Sequence, residues 1–423
     1  MLTKVERDEI IALIRQEVTP AIGCTEPIAV ALAVARVKEL LTVIPEKLDI
    51  WLSANVLKNA MGVGIPGTGM SGLPIAIAMG ALVGKSEYGL EVLRDSTPDI
   101  VEEGKKLVDR GIINIHLKED IVEKLYIEVT ASAGPDTARV IISREHTRFS
   151  LIEKNGIKLL ELEDNETEET VTEQLQLSFD KVCDFAFYTP IDEIRFIKKT
   201  VELNKAAAEE SLKGTYGHSV AQTLTNSTMG NSVYNHMLSV TAAACDARMA
   251  GAMIPVMSNS GSGNQGIAAT LPVSVFAEET GKSEEELIRA LILSHLITIY
   301  IKQSLGRLSG LCGAVVAATG SGCGVTYLMG GTREQIGFTV KNMIGNVTGM
   351  ICDGAKPSCT LKVHNGVSTA TLSALLAMDN KVVTAVEGIV DEDVDKTILN
   401  LTKIGREGMT ETDKMVLDIM TNK

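Results

Sequence analysis

The chain has 423 residues, of which 45% are hydrophobic and only 4% aromatic, so it is long enough for two or three domains with largely aliphatic cores. Its formal net charge of −14 argues against nucleic acids and anionic membrane surfaces as partners. The first 16 residues have a charged, helical pattern and lack the apolar core of a signal peptide.

The amino-terminal part is predicted to combine helices with strands. A capping box, Thr3-x-x-Glu6, precedes apolar residues at helical spacing and predicts a first helix that ends before Pro20. Thr25 is predicted to cap a second helix, which is buried because residues 28–37 are continuously apolar. The alternation in residues 48–52 predicts a strand, followed by a glycine-rich loop and a further apolar helix.

Residues 112–163 carry the patterns of a small antiparallel sheet. Polar and apolar residues alternate around Ile127, and Asn155-Gly156 between two apolar runs is a strong hairpin signal. Residues 161–173 then carry seven acidic side chains and no basic one, which is typical of a solvated linker. We therefore predict an α/β domain over residues 1–165.

Beyond this linker, helical patterns replace strand patterns, and several helices are apolar on most faces. The sequence therefore predicts an α+β fold whose second domain, residues 175–423, is mostly helical with buried helices. Residues 308–332 contain no charge and are long enough to span a bilayer, but their seven glycines favour a buried helix. A membrane or ligand-binding protein built on this segment is the alternative.

The cysteines are the first candidates for chemistry. An odd number of them, seven, without a signal peptide indicates a reducing cytoplasm and no disulfide framework. Three thiolates at Cys312, Cys352 and Cys359 can hold an iron–sulfur cluster and leave one iron open. Their spacing, however, matches neither ferredoxins nor paired zinc ligands, so buried structural thiols are the alternative.

Cys24 lies just before the predicted second helix and suits a base or nucleophile. The partial positive charge of a helix amino terminus is expected to lower the pKa of its thiol. A buried structural thiol is again the alternative. Cys183 and Cys245 lie among apolar residues and are interpreted as core residues, as lone cysteines usually are.

Two polar, glycine-rich loops could bind a small anion. One precedes an apolar helix, whose amino terminus would add to the field of the loop amides, and it contains Gly261, Ser262, Gly263, Asn264 and Gln265. The other spans residues 55–71 and contains Asn55 and Asn59 but no Walker lysine. Either loop could equally be a simple connector.

At these residues the chain resembles the iron–sulfur L-cysteine desulfidases, which are related to the iron–sulfur L-serine dehydratases. The resemblance spans nearly the whole chain and is carried by Pro-Ala-Ile-Gly-Cys24-Thr-Glu-Pro, by residues 53–67, by Gly261-Ser-Gly-Asn-Gln-Gly and by Cys352-Asp-Gly-Ala-Lys-Pro-Ser-Cys359. It implies a [4Fe–4S] cluster on Cys312, Cys352 and Cys359, a catalytic Cys24, and β-elimination of L-cysteine to pyruvate, ammonia and hydrogen sulfide. It also implies a small amino acid as the substrate and a homodimer in the cytoplasm.

Other activities remain as alternatives. Where the chain has Gly-Cys24-Thr-Glu-Pro, the serine dehydratases have a Ser-His-Thr segment, so the resemblance makes serine dehydration the second candidate. A pyridoxal phosphate β-eliminase is suggested only by Ser262-Gly263-Asn264, and no lysine lies in a convincing Schiff-base motif. Contacts to the substrate carboxylate and amine are assigned to the loop from Gly261 onward and to Asn55 and Asn59.

Overall fold

The computed structural model describes residues 2–119, 123–162, 175–227, 231–306 and 308–422. The acidic segment predicted as a linker lies outside these residues from position 163 to 173. The strands are β1 (Pro20–Ile22), β2 (Lys47–Leu52), β3 (Ile113–Leu117), β4 (Tyr126–Ala133), β5 (Asp136–Ser143), β6 (Phe149–Lys154), β7 (Ile157–Glu161) and β8 (Pro255–Met257).

The helices outnumber the strands, and most of them follow residue 175. They are α1 (Lys4–Glu17), α2 (Thr25–Leu41), α3 (Ala54–Ala60), α4 (Leu73–Leu82), α5 (Pro98–Asp109), α6 (Phe179–Tyr188), α7 (Ile191–Ile194), α8 (Lys199–Lys213), α9 (Val220–Thr225), α10 (Val233–Met249), α11 (Gly263–Glu279), α12 (Glu284–Leu305), α13 (Gly313–Leu328), α14 (Arg333–Val347), α15 (Cys359–Met378), α16 (Val394–Lys403) and α17 (Thr410–Thr421). The predicted α+β fold, with a helical carboxyl-terminal part, is confirmed.

Six strands form one mixed sheet in the order β3-β2-β4-β5-β6-β7. The β2–β3 pair is parallel and the remaining neighbours are antiparallel, so Ile50 lies opposite both Ile115 and Val129. The predicted hairpin is confirmed, since Asn155 and Gly156 both have positive φ, 50° and 77°, between β6 and β7. Helices α2 and α4 pack against each other, and α2 covers the sheet through a shared aliphatic core.

The helical part is organised around α13, which packs against α11, α12, α14 and α15. Its small residues permit this crowding: a Cβ added to Gly320 would lie 2.3 Å from the Ser294 carbonyl oxygen of α12. Residues 308–332 are therefore accounted for mainly by a buried helix. No helix within the described ranges is long and apolar enough to cross a membrane.

The first 22 residues pack differently from the rest of the predicted amino-terminal domain. Ile10 and Ile14 of α1 belong to the core formed by α6, α12 and α14. Strand β1 then pairs with β8, with Ala21 opposite Val256. This pairing places the turn before α2, which carries Cys24, beside the loop before α11, which carries Gly261 and Ser262.

Candidate active site

The amino termini of four helices meet at one pocket of about 100 Å³. Cys24 is the N-cap of α2, Ser262 of α11 and Cys312 of α13, while Cys359 is the first residue of α15. Each terminus contributes backbone N–H groups and a partial positive charge, so together they favour bound negative charge. The lining residues are Cys24, Thr25, Glu26, Asn59, Arg248, Ser262, Asn264, Cys312, Gly313, Ala314, Cys352, Gly354, Ala355, Cys359 and Val363.

Cys312, Cys352 and Cys359 all line this pocket, although 39 and 6 residues separate them in sequence. An antiparallel bridge between Leu311 and Ile351 brings the first two together. Its flanking bonds run from the Cys312 amide to Met350 O at 2.9 Å and from the Cys352 amide to Gly310 O at 2.7 Å. The turn after Cys352 then leads directly into α15 and Cys359.

The loop between Cys352 and Cys359 lies tightly against α3. Gly354 has a φ of +91°, and a Cβ there would lie 2.2 Å from the carbonyl oxygen of Lys58. Lys58 itself is 1% exposed and donates from Nζ to the carbonyl of Cys352 at 3.0 Å. The loop is thus fixed against α3.

The three thiols influence one another electrostatically. Burial raises the pKa of Cys312, and the neighbouring Cys352 raises it further. Burial also raises the pKa of Cys359, again with a contribution from Cys352. Thiols with raised pKa values, such as Cys312 and Cys359, become thiolates readily when a cationic group binds beside them.

The arrangement of the three cysteines around one pocket is suited to a cluster. Among the described residues, no three His, Cys, Asp or Glu side chains are placed as ligands of one metal ion. The three cysteines instead surround a common pocket, which suits a [4Fe–4S] group because each thiolate then binds a different iron. The amino termini of α13 and α15 would stabilise the negative charge of such a group.

Cys24 faces the same pocket and is 4% exposed. It caps α2 itself, whereas the sequence suggested Thr25 as the cap. Its Sγ donates to Glu26 Oε2 at 3.0 Å. Burial and the Glu26 carboxylate raise the pKa of Cys24 well above its ordinary value, with Arg248 opposing them. The expected lowering by the helix terminus is therefore wrong: in the structure, Cys24 is a thiol that donates to a carboxylate.

Glu26 is the centre of this polar network, and the sequence analysis did not single it out. It is 7% exposed, and its Oε1 accepts from Asn59 Nδ2 at 2.9 Å and lies 4.0 Å from His146 Nε2. Burial alone would raise the pKa of Glu26, but His146 and the hydrogen bonds from Cys24 and Asn59 outweigh it and lower the pKa. The acid two residues after Cys24 in the motif was the available signal.

The predicted anion loop reaches the pocket in part. Ser262 and Asn264 line it, and the carbonyl of Gly261 accepts from Thr25 Oγ1 at 3.0 Å, which joins the loop to α2. Gln265 lies beside it, and its buried Oε1 has no hydrogen-bond partner among the described residues. The Gln265 side chain lies close to Gly313. Gly263 is packed against the guanidinium of Arg248.

The two predicted asparagines line different cavities. Asn59 lines the pocket, and its buried Oδ1 has no hydrogen-bond partner within the ranges that the structure describes. Asn55 lies in the same short helix, α3, but lines another cavity of about 420 Å³ and donates to Asp413 at 3.3 Å. The stretch from residue 54 to 60 is helical, whereas the sequence analysis treated it as part of a loop.

Arg248 is a further pocket residue that the sequence analysis missed. It lies at the end of α10 and is 3% exposed. The signal was present, because Asp246 and Arg248 are the charged residues of a helix that is otherwise formed by uncharged side chains and one histidine. The remaining cysteines, Cys183, Cys245 and Cys323, are buried in hydrophobic clusters, as expected for Cys183 and Cys245.

Known proteins resemble this chain over most of its length. The model of the family described as "Serine dehydratase alpha chain" matches residues 87–418, which include the three pocket cysteines of the helical part but not Cys24. A UPF0597 protein of Bacteroides fragilis is 66% identical over the whole of both chains. UPF0597 proteins of Porphyromonas gingivalis and Aeromonas hydrophila are 54% and 43% identical, over 99% of this chain and 99% and 97% of theirs.

Proposed function

The chain belongs to the UPF0597 family and carries a serine dehydratase alpha chain domain, and from this membership and the pocket we propose that it is an iron–sulfur L-cysteine desulfidase. It would eliminate hydrogen sulfide from L-cysteine and release pyruvate and ammonia. Cys312, Cys352 and Cys359 would hold a [4Fe–4S] cluster. We further propose that it acts in the cytoplasm as a homodimer.

One observation carries this proposal: a possible base and the three proposed cluster ligands line the same small pocket. Such a lyase must remove a weakly acidic proton from Cα and stabilise the charge on the departing sulfur. When bound, the cluster would supply a Lewis-acidic iron for that sulfur. All other groups that the elimination needs come from the chain itself.

Cys24 and Glu26 would handle the protons. The resting pair is a thiol donating to a carboxylate, so Cys24 would become a base once its proton passes to Glu26 Oε2. The raised pKa of Cys24 and the lowered pKa of Glu26 make this transfer uphill, and the positive charge of Arg248 eases it by lowering the pKa of Cys24. Its thiolate then takes the Cα proton, the electrons of that C–H bond form the new double bond, and the C–S bond breaks with its electrons on sulfur. The aminoacrylate product tautomerises to an imine, and water converts the imine to pyruvate and ammonia.

The remaining pocket residues would orient the substrate. The amino terminus of α11, from Ser262 to Gln265, is suited to the carboxylate because its amides and helix dipole favour an anion. Asn59 turns its Nδ2 to the Glu26 carboxylate. Its Oδ1, which accepts from no group in the described part of the chain, would accept from the substrate amine. Asn55 would act from outside the pocket, through Asp413 and Lys58.

L-serine dehydration is the second candidate, because the matching family model is described as a serine dehydratase alpha chain. The same proton chemistry would serve a hydroxyl leaving group. The thiol Cys24 and the carboxylate Glu26 stand where those dehydratases have a Ser-His-Thr segment, and this difference supports cysteine as the substrate.

Anaerobic reconstitution tests the proposal. The protein is treated with iron and sulfide, iron and acid-labile sulfide per chain are measured, and pyruvate and hydrogen sulfide are assayed with L-cysteine and pyruvate with L-serine. We expect about four of each per chain and a higher kcat/KM for cysteine. A loaded protein that converts neither amino acid would refute the enzyme, and a preference for serine would establish the second candidate.

A further inference from the structure

Arg248 is a buried cation whose hydrogen-bonding capacity is only partly used. Its Nη1 donates to Asn264 Oδ1 and its Nη2 to the carbonyl of Gly23, each at 2.9 Å. Its Nε is buried and has no hydrogen-bond partner in the described part of the chain. A guanidinium has five N–H donors, so donors remain for a ligand.

The guanidinium of Arg248 packs against the start of α11. A Cβ added to Gly263, the first residue of the helix, would lie 2.2 Å from Arg248 Nε and 2.7 Å from Cζ. The N-cap Ser262 makes no side-chain capping hydrogen bond, so it satisfies none of the free amides of the first turn. The absence of a side chain at residue 263 thus lets a cation approach a helix terminus that already favours anions.

Arg248 has no acidic partner within the described ranges. Among the described residues, no carboxylate oxygen lies within ion-pairing distance of its guanidinium, and the partners named above are an amide and a backbone carbonyl. A buried, unpaired charge is unfavourable unless a counter-charge arrives. An arginine held in this way is typical of a binding site for a planar anion, because its fork matches a carboxylate.

We propose that Arg248, with the amino terminus of α11, binds the α-carboxylate of the substrate and so restricts the enzyme to amino acids with a free carboxyl group. This inference rests on the proposed function. It adds a specificity-determining residue on α10 to the loop from Gly261 to Gln265, which alone offers amides but no positive side chain.

The position of Arg248 also brings the Cα proton of the substrate toward Cys24. Arg248 is bonded to the carbonyl of Gly23, the residue before Cys24, and it contributes to the electrostatic environment of the Cys24 thiol. Cα is bonded directly to the carboxylate carbon, so a carboxylate held by Arg248 brings the Cα proton toward Cys24. Arg248 thus couples recognition of the substrate to its orientation.

The test compares two small thiols that differ in charge. 3-Mercaptopropionate has the thiol and a carboxylate, whereas cysteamine has the thiol and an amine but no carboxylate. Their binding to the anaerobically reconstituted protein is measured by calorimetry. We expect Arg248→Lys to weaken 3-mercaptopropionate about 10- to 100-fold, because the bidentate contact is lost, and to leave cysteamine unchanged within about twofold.

Two further variants test whether the effect is specific to the carboxylate site. Gly263→Ala retains the arginine but displaces it, so it should also weaken the binding of 3-mercaptopropionate and not that of cysteamine. This variant keeps the test decisive if circular dichroism shows that Arg248→Lys does not fold. Arg289→Lys is the control: Arg289 is also largely buried, binds the carbonyls of Ala186 and Thr189, and does not line the pocket. It should leave the binding of both thiols unchanged.

The outcomes separate this inference from the proposed function. The carboxylate site would be overturned if Arg248→Lys and Gly263→Ala weakened the binding of both thiols equally, or weakened the binding of neither. It would also be overturned if the wild-type protein did not bind 3-mercaptopropionate. Selective weakening in a protein that produces no sulfide or pyruvate would support the site and refute the desulfidase. A fall in the kcat/KM ratio of L-cysteine over its methyl ester in Arg248→Lys would support both.

Discussion

Lys58 of α3 and Asp413 of α17 form an ion pair of 2.5 Å, although 354 residues lie between them in sequence. The side chain of Lys58 is 2% exposed and that of Asp413 15%. Because Lys58 also donates to the Cys352 carbonyl, this pair connects the amino-terminal part, the loop of the proposed cluster ligands and the last helix.

Removal of the Asp413 charge should therefore destabilise the protein strongly. Asp413→Ala leaves the buried ammonium of Lys58 without its counter-ion, and we expect the free energy of unfolding to fall by about 3 kcal/mol. Urea unfolding of the unloaded protein measures this. Glu411→Ala on the same helix breaks only an exposed pair with Lys414 and should change stability by less than about 0.5 kcal/mol. Equal effects would contradict the structural role of the pair.

Gly354 provides a test of the loop between Cys352 and Cys359. Gly354→Ala places a Cβ 2.2 Å from the Lys58 carbonyl oxygen at a φ of +91°, so the loop must move and Cys352 with it. We expect iron and acid-labile sulfide per chain after reconstitution to fall at least about twofold. Gly349→Ala is the matched control, since a Cβ there meets nothing within 4 Å. Full loading of Gly354→Ala would show that the loop position is unimportant for the cluster.

Cys24 and Cys352 should give opposite phenotypes. Cys24→Ala removes the proposed base but no proposed ligand, so turnover of L-cysteine should disappear while the brown colour and iron content remain. Cys352→Ala removes a proposed ligand, so both colour and turnover should be lost. Visible absorption spectra and pyruvate assays of the two reconstituted variants decide the point. A colourless Cys24→Ala protein would make Cys24 a ligand instead.

His295 predicts how stability depends on pH. It is completely buried, and burial lowers its pKa to about 3. Between about pH 6 and pH 4 the His295 imidazole is protonated in the unfolded chain but neutral in the folded one. This residue therefore lowers the free energy of unfolding by about 1.4 kcal/mol for each pH unit as the pH falls. The contribution vanishes above the unfolded-state pKa of about 6.5.

A variant isolates this effect. His295→Gln should flatten the decline of the urea midpoint between about pH 6 and pH 4, although it loses stability at neutral pH because His295 binds Asn259 and Thr270, each at 3.0 Å. An unchanged slope in His295→Gln would mean that His295 is protonated in the folded protein or that its surroundings open in acid.

Local patterns predicted much of this fold because the forces involved are local. The capping box at Thr3 forms as expected, and the Asn155-Gly156 turn fixes the β6–β7 hairpin. The buried α13 followed from an uncharged, glycine-rich run. In each case neighbouring residues determine the conformation, so a single sequence carries the information.

The rest of the site depends on contacts between distant segments. The β1–β8 pair has three residues per strand, too few for a periodic pattern, yet it positions the Cys24 turn beside the loop before α11. The pKa of Cys24 was predicted from its helix terminus alone, but burial and Glu26 decide its direction. Arg248 was overlooked because only tertiary packing shows that it lies against Gly263.

Glu26 is the residue whose substitution most directly tests the proton transfer. Glu26→Gln keeps the shape of the side chain but cannot take the Cys24 proton, so kcat with L-cysteine should fall about 100-fold or more while iron content remains normal. Because nearby groups keep the pKa of Glu26 below its usual value, the carboxylate persists across neutral pH, and its protonation should limit wild-type activity only in acid.

The control is Glu128→Gln, which changes another buried glutamate. Glu128 binds Lys118 and Arg139 and does not line the pocket. It should lower stability but leave kcat unchanged within about twofold. A Glu26→Gln enzyme with normal kcat would mean that Cys24 passes its proton elsewhere, since no other carboxylate oxygen in the described part of the chain accepts from its thiol.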